Sequence, residues 1–298
     1  MQSVSTLSLP LTPVVAVRKL GDFSKLLGRS DVFVKEEQFQ PTGTHKDRRS
    51  QLIAALAKTM EIDKVVMITA GNGGQSLIHA LRGTSTKVVC IIDSSAPAEV
   101  RRHLGGAYRV IEADFSDGIL LPEKTISMAR EHEREIIVDV TNGFEEAYRG
   151  IISEISRYRL RNLIVPVGSG ELFVGLHAEI SRRNLPIRLV GVGVSEPHPL
   201  ADKLYTPWTP YERRMQRIVQ DGHMLVRLDG QLFEALVEKV SPYLSAEPSA
   251  LAGFGALSEM ELNLNGPLMV ICTGNGVRYQ PPLVLESMSA TFPVSPSQ

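Results

Sequence analysis

Apolar runs such as VVMI (65–68), VVCII (88–92), LIVPV (163–167), LVGVGV (189–194) and LMVIC (268–272) recur along this chain, with helix-like segments between them. A strand that is apolar at every position has no face to give to water, so each must be covered on both sides. Strands of that kind, alternating with helices, predict an α/β protein whose sheets are mostly parallel.

The segments between the runs fit this scheme. RRSQLIAALAKTMEI places Leu52, Ile53, Leu56 and Met60 at helical spacing, and a further helix is expected from about Gln75. APAEVRRHLGG reads as a helix closed by Gly105 and Gly106, EKTISMAREHERE as another, and NGFEEAYRGIISEISRY as a loop feeding a third. The stretch 197–210 is less regular; it holds four prolines and the single Trp208. The chain opens on polar residues and ends in a polar tail with Pro293 and Pro296.

Composition narrows the function classes. The 298 residues are 43% hydrophobic and 22% charged, which suits a globular chain of about two domains rather than a disordered one. Lys and Arg number 32 against 33 Asp and Glu, so no basic excess points to nucleic acid or an anionic membrane. The two cysteines, Cys90 and Cys272, sit inside apolar runs and read as buried free thiols in a reducing compartment. With no leader-like N-terminus and no run long enough to span a bilayer, a cytoplasmic location is expected.

One stretch concentrates unusual residues: VFVKEEQFQPTGTHKDRR (32–49), a short strand, a Pro-Thr-Gly loop, then Lys46 at the head of a helix. Backbone N–H groups at a helix start make the local potential positive. An amine held there and partly buried would lose its proton more easily and could attack carbonyls. The stretch alone reads equally as a loop-to-helix junction, with Thr44 as N-cap and a solvated Lys-Asp-Arg first turn.

Three glycine loops share one design, a strand ending in glycine-rich backbone before or at a helix: TAGNGG (69–74), VGSGE (167–171) and TGNG (273–276). In parallel sheets such loops lie at the carboxyl ends of strands, where ligands bind. VPVGSGELFVG has the strand, turn and helix order that an anion site needs, though a tight turn alone would look the same. The glycine offsets match neither a G-x-G-x-x-G nor a Walker motif, which leaves a dinucleotide or nucleotide site as a weak alternative.

Together, in order, TPVVAVRKL, VKEEQFQPTGTHKDR, TAGNGGQS, VPVGSGELFVGLHAEI, EPSALAGFGAL and CTGNG resemble the fold-type II pyridoxal-phosphate enzymes, nearly end to end. That family includes threonine synthase, cysteine synthase, serine and threonine dehydratases and the tryptophan synthase β subunit. The resemblance implies two open, mostly parallel α/β lobes with pyridoxal 5′-phosphate between them, a smaller mobile lobe over 36–141 and a larger lobe of 1–35 plus 142–298. It implies that Lys46 carries the cofactor as a Schiff base and moves the substrate's α-proton. Asn72 would bond the cofactor's 3′-oxygen, and Gly168, Ser169, Gly170, Glu171 and Leu172 would hold its phosphate. Thr273 would meet the pyridine nitrogen, and Thr69, Gly71, Gly73 and Gly74 would take the substrate carboxylate.

A hydroxyl at Thr273 cannot stabilise a protonated ring nitrogen as a carboxylate would, which suits elimination or replacement at the β or γ carbon better than transamination. PTGTHKDR and TGNG are similar to threonine synthase, which implies O-phosphohomoserine or a similar activated amino acid, with Asn142 and Arg149 as candidates for its phosphate. There Gly143 replaces a serine of the family pattern, and Glu145 and Glu146 add negative charge. The alternatives are cysteine synthase-like replacement on O-acetylserine or O-phosphoserine, and a non-catalytic cofactor-binding paralogue. Two further residues depart from the family: His45, expected to pack near the cofactor, and Glu171, expected to turn its carboxylate away from a phosphate. Asp47 and Arg48 are assigned mainly to structural ion pairing. The resemblance also implies a homodimer, a small-molecule amino-acid substrate, and closure of the smaller lobe through the Asn72 loop to exclude water; no metal site is expected.

Overall fold

The computed structural model describes residues 11–276 except 117, 119, 207 and 258–261. The polar start and the proline-bearing tail lie outside the described residues. The chain runs β1 (Val14–Ala16), α1 (Phe23–Leu26), β2 (Val32–Glu36), α2 (Asp47–Thr59), β3 (Lys64–Ile68), α3 (Asn72–Ala80), β4 (Lys87–Asp93), α4 (Ala98–His103), β5 (Arg109–Ala113), α5 (Pro122–Ala129) and β6 (Ile137–Asp139). It continues through α6 (Arg149–Ile155), β7 (Asn162–Pro166), α7 (Glu171–Arg182), β8 (Arg188–Val194), α8 (Glu212–Gln220), β9 (Met224–Leu228), α9 (Gly230–Val240), α10 (Pro248–Leu251) and β10 (Leu268–Cys272).

These strands form two sheets, one ordered β1-β2-β10-β7-β8-β9 and the other β5-β4-β3-β6. Every pairing is parallel except β1 with β2. The expected pair of open, mostly parallel α/β lobes is therefore present, with the four-stranded sheet spanning Lys64–Asp139 in sequence and the six-stranded one built from both flanking regions. Among the described residues no helix is long and apolar enough to cross a membrane.

The apolar runs behave as their composition requires. β7 and β10 are buried at every position, and alternate residues serve opposite cores, Val270 on one face of the large sheet and Met269 and Ile271 on the other. In the small sheet Val65 and Met67 face one core and Val66 the other. Cys90 and Cys272 are free and buried, and burial pushes the Cys90 thiol up to about 12.

Four details differ from the sequence reading. Beyond the first turn of α2, where Asp47, Arg48 and Arg49 are buried, the buried positions are Ser50, Ile53, Ala54 and Ala57, whereas Leu52 and Leu56 are half-buried and Met60 is exposed; α2 packs on α3, where Ser76 donates to Ser50. The helix expected from Gln75 starts at Asn72, so Gly73 and Gly74 lie in its first turn and not in the loop. Thr44 does not cap α2, whose N-cap carries no side-chain bond; the Asp47 carboxylate instead accepts the Thr42 N–H at 2.7 Å. Beyond the proline-rich segment, α8 and the edge strand β9 complete the large sheet; neither was expected, since ERRMQRIVQ is mostly charged and MLVRL is short.

The stretch before α2 is fixed by a buried charge cluster. Lys35 and Glu37 have side chains 1% and 0% exposed. Arg48 meets Glu37 through Nε at 2.7 Å and Glu154 through Nη1 at 2.7 Å, Lys35 meets Glu154 at 2.5 Å, and Thr12 donates to Glu37 at 2.7 Å. Desolvation alone would raise the Glu37 carboxyl, but the Arg48 guanidinium, the Thr12 hydroxyl and the Lys35 charge together outweigh it and hold it below its usual value. The ion-pairing role expected of Arg48 is thus seen directly, while Asp47 acts through hydrogen bonds to Thr42 and Ser76. Removing one partner of a buried pair strands the other charge, at a cost of about 3–5 kcal/mol. Glu37→Gln is therefore expected to lower the unfolding free energy by about that amount in urea denaturation, with Glu154→Gln costing less because Glu154 is partly exposed.

Candidate active site

β2 and β10 pair in parallel from Val32 opposite Leu268 to Glu36 opposite Cys272, so the two segments leave the sheet side by side. There they clasp. Thr44 bridges Gly274, the His45 N–H donates to Thr273 O at 2.8 Å, and the Asn275 N–H donates to Gly43 O at 3.0 Å. Gly43 has φ +77°, and a Cβ there would meet Asn275 Oδ1 at 2.2 Å. The motifs around Lys46 and Thr273 are therefore one local structure.

Lys46 precedes α2 and opens on a cavity of about 1140 Å³ between the carboxyl ends of the two sheets. Enclosure, then the nearby Arg49 charge, lower its amine from the usual value to about 8. Asn72, Thr69, Gly73, Gly168, Ser169, Gly170, Glu171, Leu172, Thr273 and Asn142 line the same cavity. Gly71, Gly74 and Arg149 do not. The Thr69 hydroxyl accepts the Gly71 and Gly74 N–H groups, each at 3.0 Å, and shapes the loop from within. Arg149 is occupied with Glu146 at 2.7 Å on the surface, so the side chain expected at a substrate phosphate is not in the cavity.

At the far wall, Gly170 (φ +91°) opens the twelve-residue α7. A Cβ on Gly168 would lie 2.1 Å from Lys203 O, and one on Gly170 would meet Met215, so only glycines let this loop sit as it does. The first N–H groups of α7 have no partner within the helix, which makes its start an anion cradle. Glu171 stands in that first turn with its carboxylate engaged elsewhere: it pairs with Arg49 at 2.9 Å and accepts the Phe144 N–H at 3.1 Å and the Tyr211 hydroxyl at 3.2 Å. The negative charge beside the cradle is balanced by a guanidinium that crosses from α2.

His45 Nδ1 lies 3.0 Å from Thr273 O. A carbonyl only accepts, so Nδ1 carries the proton, and burial together with the Lys46 charge lowers the ring to about 3. The ring is a neutral spacer tilted against Tyr148, 5.6 Å between centroids.

Among the lining residues that the sequence alone did not single out, four shape the site. Glu247, in the EPSALAG segment, accepts from Asn72 Nδ2 at 3.0 Å and pairs with Lys203 at 2.6 Å. Arg49, the second arginine after Lys46, also donates to the Val140 and Thr141 carbonyls. Nothing local marked Lys203 or Tyr148, which are brought in by folding alone. Arg49 and Lys203, the lining cations besides Lys46 among the described residues, are thus each held by a carboxylate, while Asp93, Asp139 and Asp202 add further negative charge.

The residues fit pyridoxal phosphate on the structure's own terms. There is an amine shifted toward its neutral form to meet an aldehyde, a glycine cradle at a helix start for a phosphate, an amide at Asn72 fixed by Glu247, and a neutral hydroxyl at Thr273.

Comparison with known proteins agrees. A relative, the L-threonine dehydratase catabolic TdcB of Staphylococcus aureus (strain USA300), is 25% identical over 228 residues, covering 74% of this chain and 65% of its own length. The chain therefore spans just under two thirds of that curated relative. Among solved structures, maize serine racemase superposes with a TM-score of 0.72 at 17% identity, over 90% of this chain and 88% of that one. The O-acetylserine dependent cystathionine beta-synthase from Helicobacter pylori gives 0.69 at 21%, over 85% and 90%, and threonine deaminase isoform 2 from Solanum lycopersicum 0.71 at 16%, over 92% and 86%. At those identities the superpositions speak for the fold alone. The model of the family "Pyridoxal-phosphate dependent enzyme" matches residues 7–273, and the chain belongs to that family.

Proposed function

We propose that this protein catalyses elimination from the side chain of an amino acid, at its β or γ carbon, with Lys46 moving the α-proton. The observation that carries this reading is Lys46 itself, an amine lowered to about 8 that shares one cavity with Asn72, Thr273 and the 168–172 loop. When bound, the pyridoxal group supplies a sink for the electrons left at Cα after proton removal. The rest falls to the chain. The α7 start and the glycines before it would hold a phosphate, Thr69 and Gly73 would receive the substrate carboxylate, and Lys46 Nζ would take and return the proton at Cα. Lobe closure over the cleft, with the Asn72 loop as the moving part, would exclude water.

The charge inventory bears on the leaving group. Arg149 is outside the cavity, and Arg49 and Lys203 are spent on Glu171 and Glu247. A neutral hydroxyl therefore suits the site better than a phosphate, and a dehydratase-type elimination, the activity in the name of the S. aureus relative, is the leading form. A threonine synthase-like reaction on O-phosphohomoserine is the second form, favoured by Asn142, which does line the cavity.

The following outcomes test these statements. Supplied with pyridoxal phosphate, the wild type is expected to gain a visible band that Lys46→Ala lacks; L-threonine or L-serine should then give 2-oxo acid and ammonia. Release of phosphate from O-phosphohomoserine, or of acetate from O-acetylserine, without turnover of the hydroxy acids would displace the dehydratase form. The rate at which the band develops should rise through a midpoint near pH 8 and not near that of a free lysine, because the reactive free amine accumulates as pH passes the lowered value. Gly168→Ala must push aside the Lys203 backbone, and is expected to weaken cofactor retention at least tenfold on gel filtration while far-ultraviolet circular dichroism stays native.

A further inference from the structure

The cavity does not end at the groups assigned above. The small sheet is ordered β5-β4-β3-β6, and the Thr69–Gly73 loop leaves β3. Lining residues continue to the carboxyl ends of the two strands on one side: Ser95, Ala96 and Pro97 after β4, and Phe115 and Leu120 after β5. Adjacent strands lie about 4.8 Å apart, so the β5 end stands about 10 Å from the loop that carries Asn72. A small amino acid held between Lys46 and the β3 loop would not reach it.

The walls of this extension have a definite chemistry. Ala96, Pro97, Val100, Phe115 and Leu120 are apolar. The polar groups among them are satisfied locally: Asp93 accepts the Ser95 N–H at 2.8 Å and the Ser95 hydroxyl through Oδ1, and the Phe115 N–H through Oδ2 at 3.4 Å. From the large lobe, Tyr205 and Trp208 line the same cavity with 39% and 41% of their surface exposed. Aromatic rings left that open on the wall of a cavity are surface waiting for a partner. Within the extension the charge inventory disfavours a further anion, since Arg49 and Lys203 are paired and Asp93 lines that side.

We propose that the chamber bounded by Ala96, Pro97, Phe115, Leu120, Tyr205 and Trp208 is a subsite for an uncharged, bulky apolar group, an aryl ring or branched alkyl chain, on the substrate's side chain. The substrate class is then the amino acid with a large neutral substituent beyond Cβ, such as a 3-aryl-3-hydroxy amino acid. This deepens the elimination reading and rests on it. The net change is loss of water across Cα–Cβ followed by hydrolysis of the resulting enamine, giving the 2-oxo acid and ammonia; no oxidant or second substrate is needed.

Trp208 is the single tryptophan of the chain, so its fluorescence reports the chamber without any turnover. The holoenzyme titrated with L-phenylalanine, and separately with L-alanine, is expected to show a saturable Trp208 change with at least tenfold tighter half-saturation for phenylalanine. In Leu120→Lys that preference should vanish while alanine titrates as before, and Phe115→Ser should reduce it. Equal half-saturation for both amino acids, or a preference untouched by both variants, overturns the chamber. In parallel, kcat/KM for L-threo-3-phenylserine should exceed that for L-threonine at least tenfold. Turnover of threonine without the fluorescence preference would overturn the subsite and leave the elimination reading standing. The preference without turnover of either hydroxy acid would support the subsite and overturn elimination.

Discussion

The position of Lys46 depends on the parallel pairing of β2 with β10. That register brings the ends of two segments more than two hundred residues apart to the same edge of the cleft, where the Thr44–Gly274 bridge and the two His45 contacts to Thr273 O lock them. A slip of one residue would turn the buried alternation of both strands inside out. Behind the clasp, Lys35, Glu37, Arg48 and Glu154 form a desolvated charge cluster that is stable only when complete. Its members come from β2, the turn after it, α2 and α6, so the cluster ties the lysine to the large sheet and to the helix that follows the small one.

The family departures at Glu171 and His45 are reconciled by their neighbours. A carboxylate in the first turn of an anion-binding helix would oppose its purpose, but Arg49 answers it across the cleft, and the Phe144 N–H and Tyr211 hydroxyl complete its shell. A histidine beside a reactive lysine invites a role in proton transfer, yet its Nδ1 proton is committed to a carbonyl and its ring stays neutral far below ordinary pH. Glu247 plays the complementary part, orienting Asn72 and holding Lys203 near the 168–172 loop.

Much of the fold was legible because its signals are local. Fully apolar runs separated by helical periods can only be covered parallel strands, and β3, β4, β7, β8 and β10 followed from that. The edge strand β9 and the charged helix α8 were missed because an edge needs no continuous apolar run and a helix can owe its place to Met215 and Ile218 alone. Most of the candidate lining was legible too, since Lys46, Asn72, the 168–172 loop and Thr273 sit in motifs. What the sequence hid was partnership. Lys35 and Glu37 look like surface charges and are buried, Arg149 looks like a substrate cation and faces Glu146, and Arg49 looks like a solvated first-turn residue and is 5% exposed in the cleft. Those outcomes depend on which distant groups arrive nearby, and no local pattern encodes that.

The clasp also has a bearing on the order of events during synthesis. Thr273 leaves the ribosome long after Lys46, and so do Lys203 and the 168–172 loop, which wall the cavity whose enclosure is the main cause of the lowered amine. Until the last strand of the large sheet is in place, Lys46 is an ordinary hydrated lysine with its proton on, a poor nucleophile toward any aldehyde in its surroundings. The reactive amine is thus created by completion of the fold, which keeps a half-made chain from capturing a cofactor it has no cavity to hold.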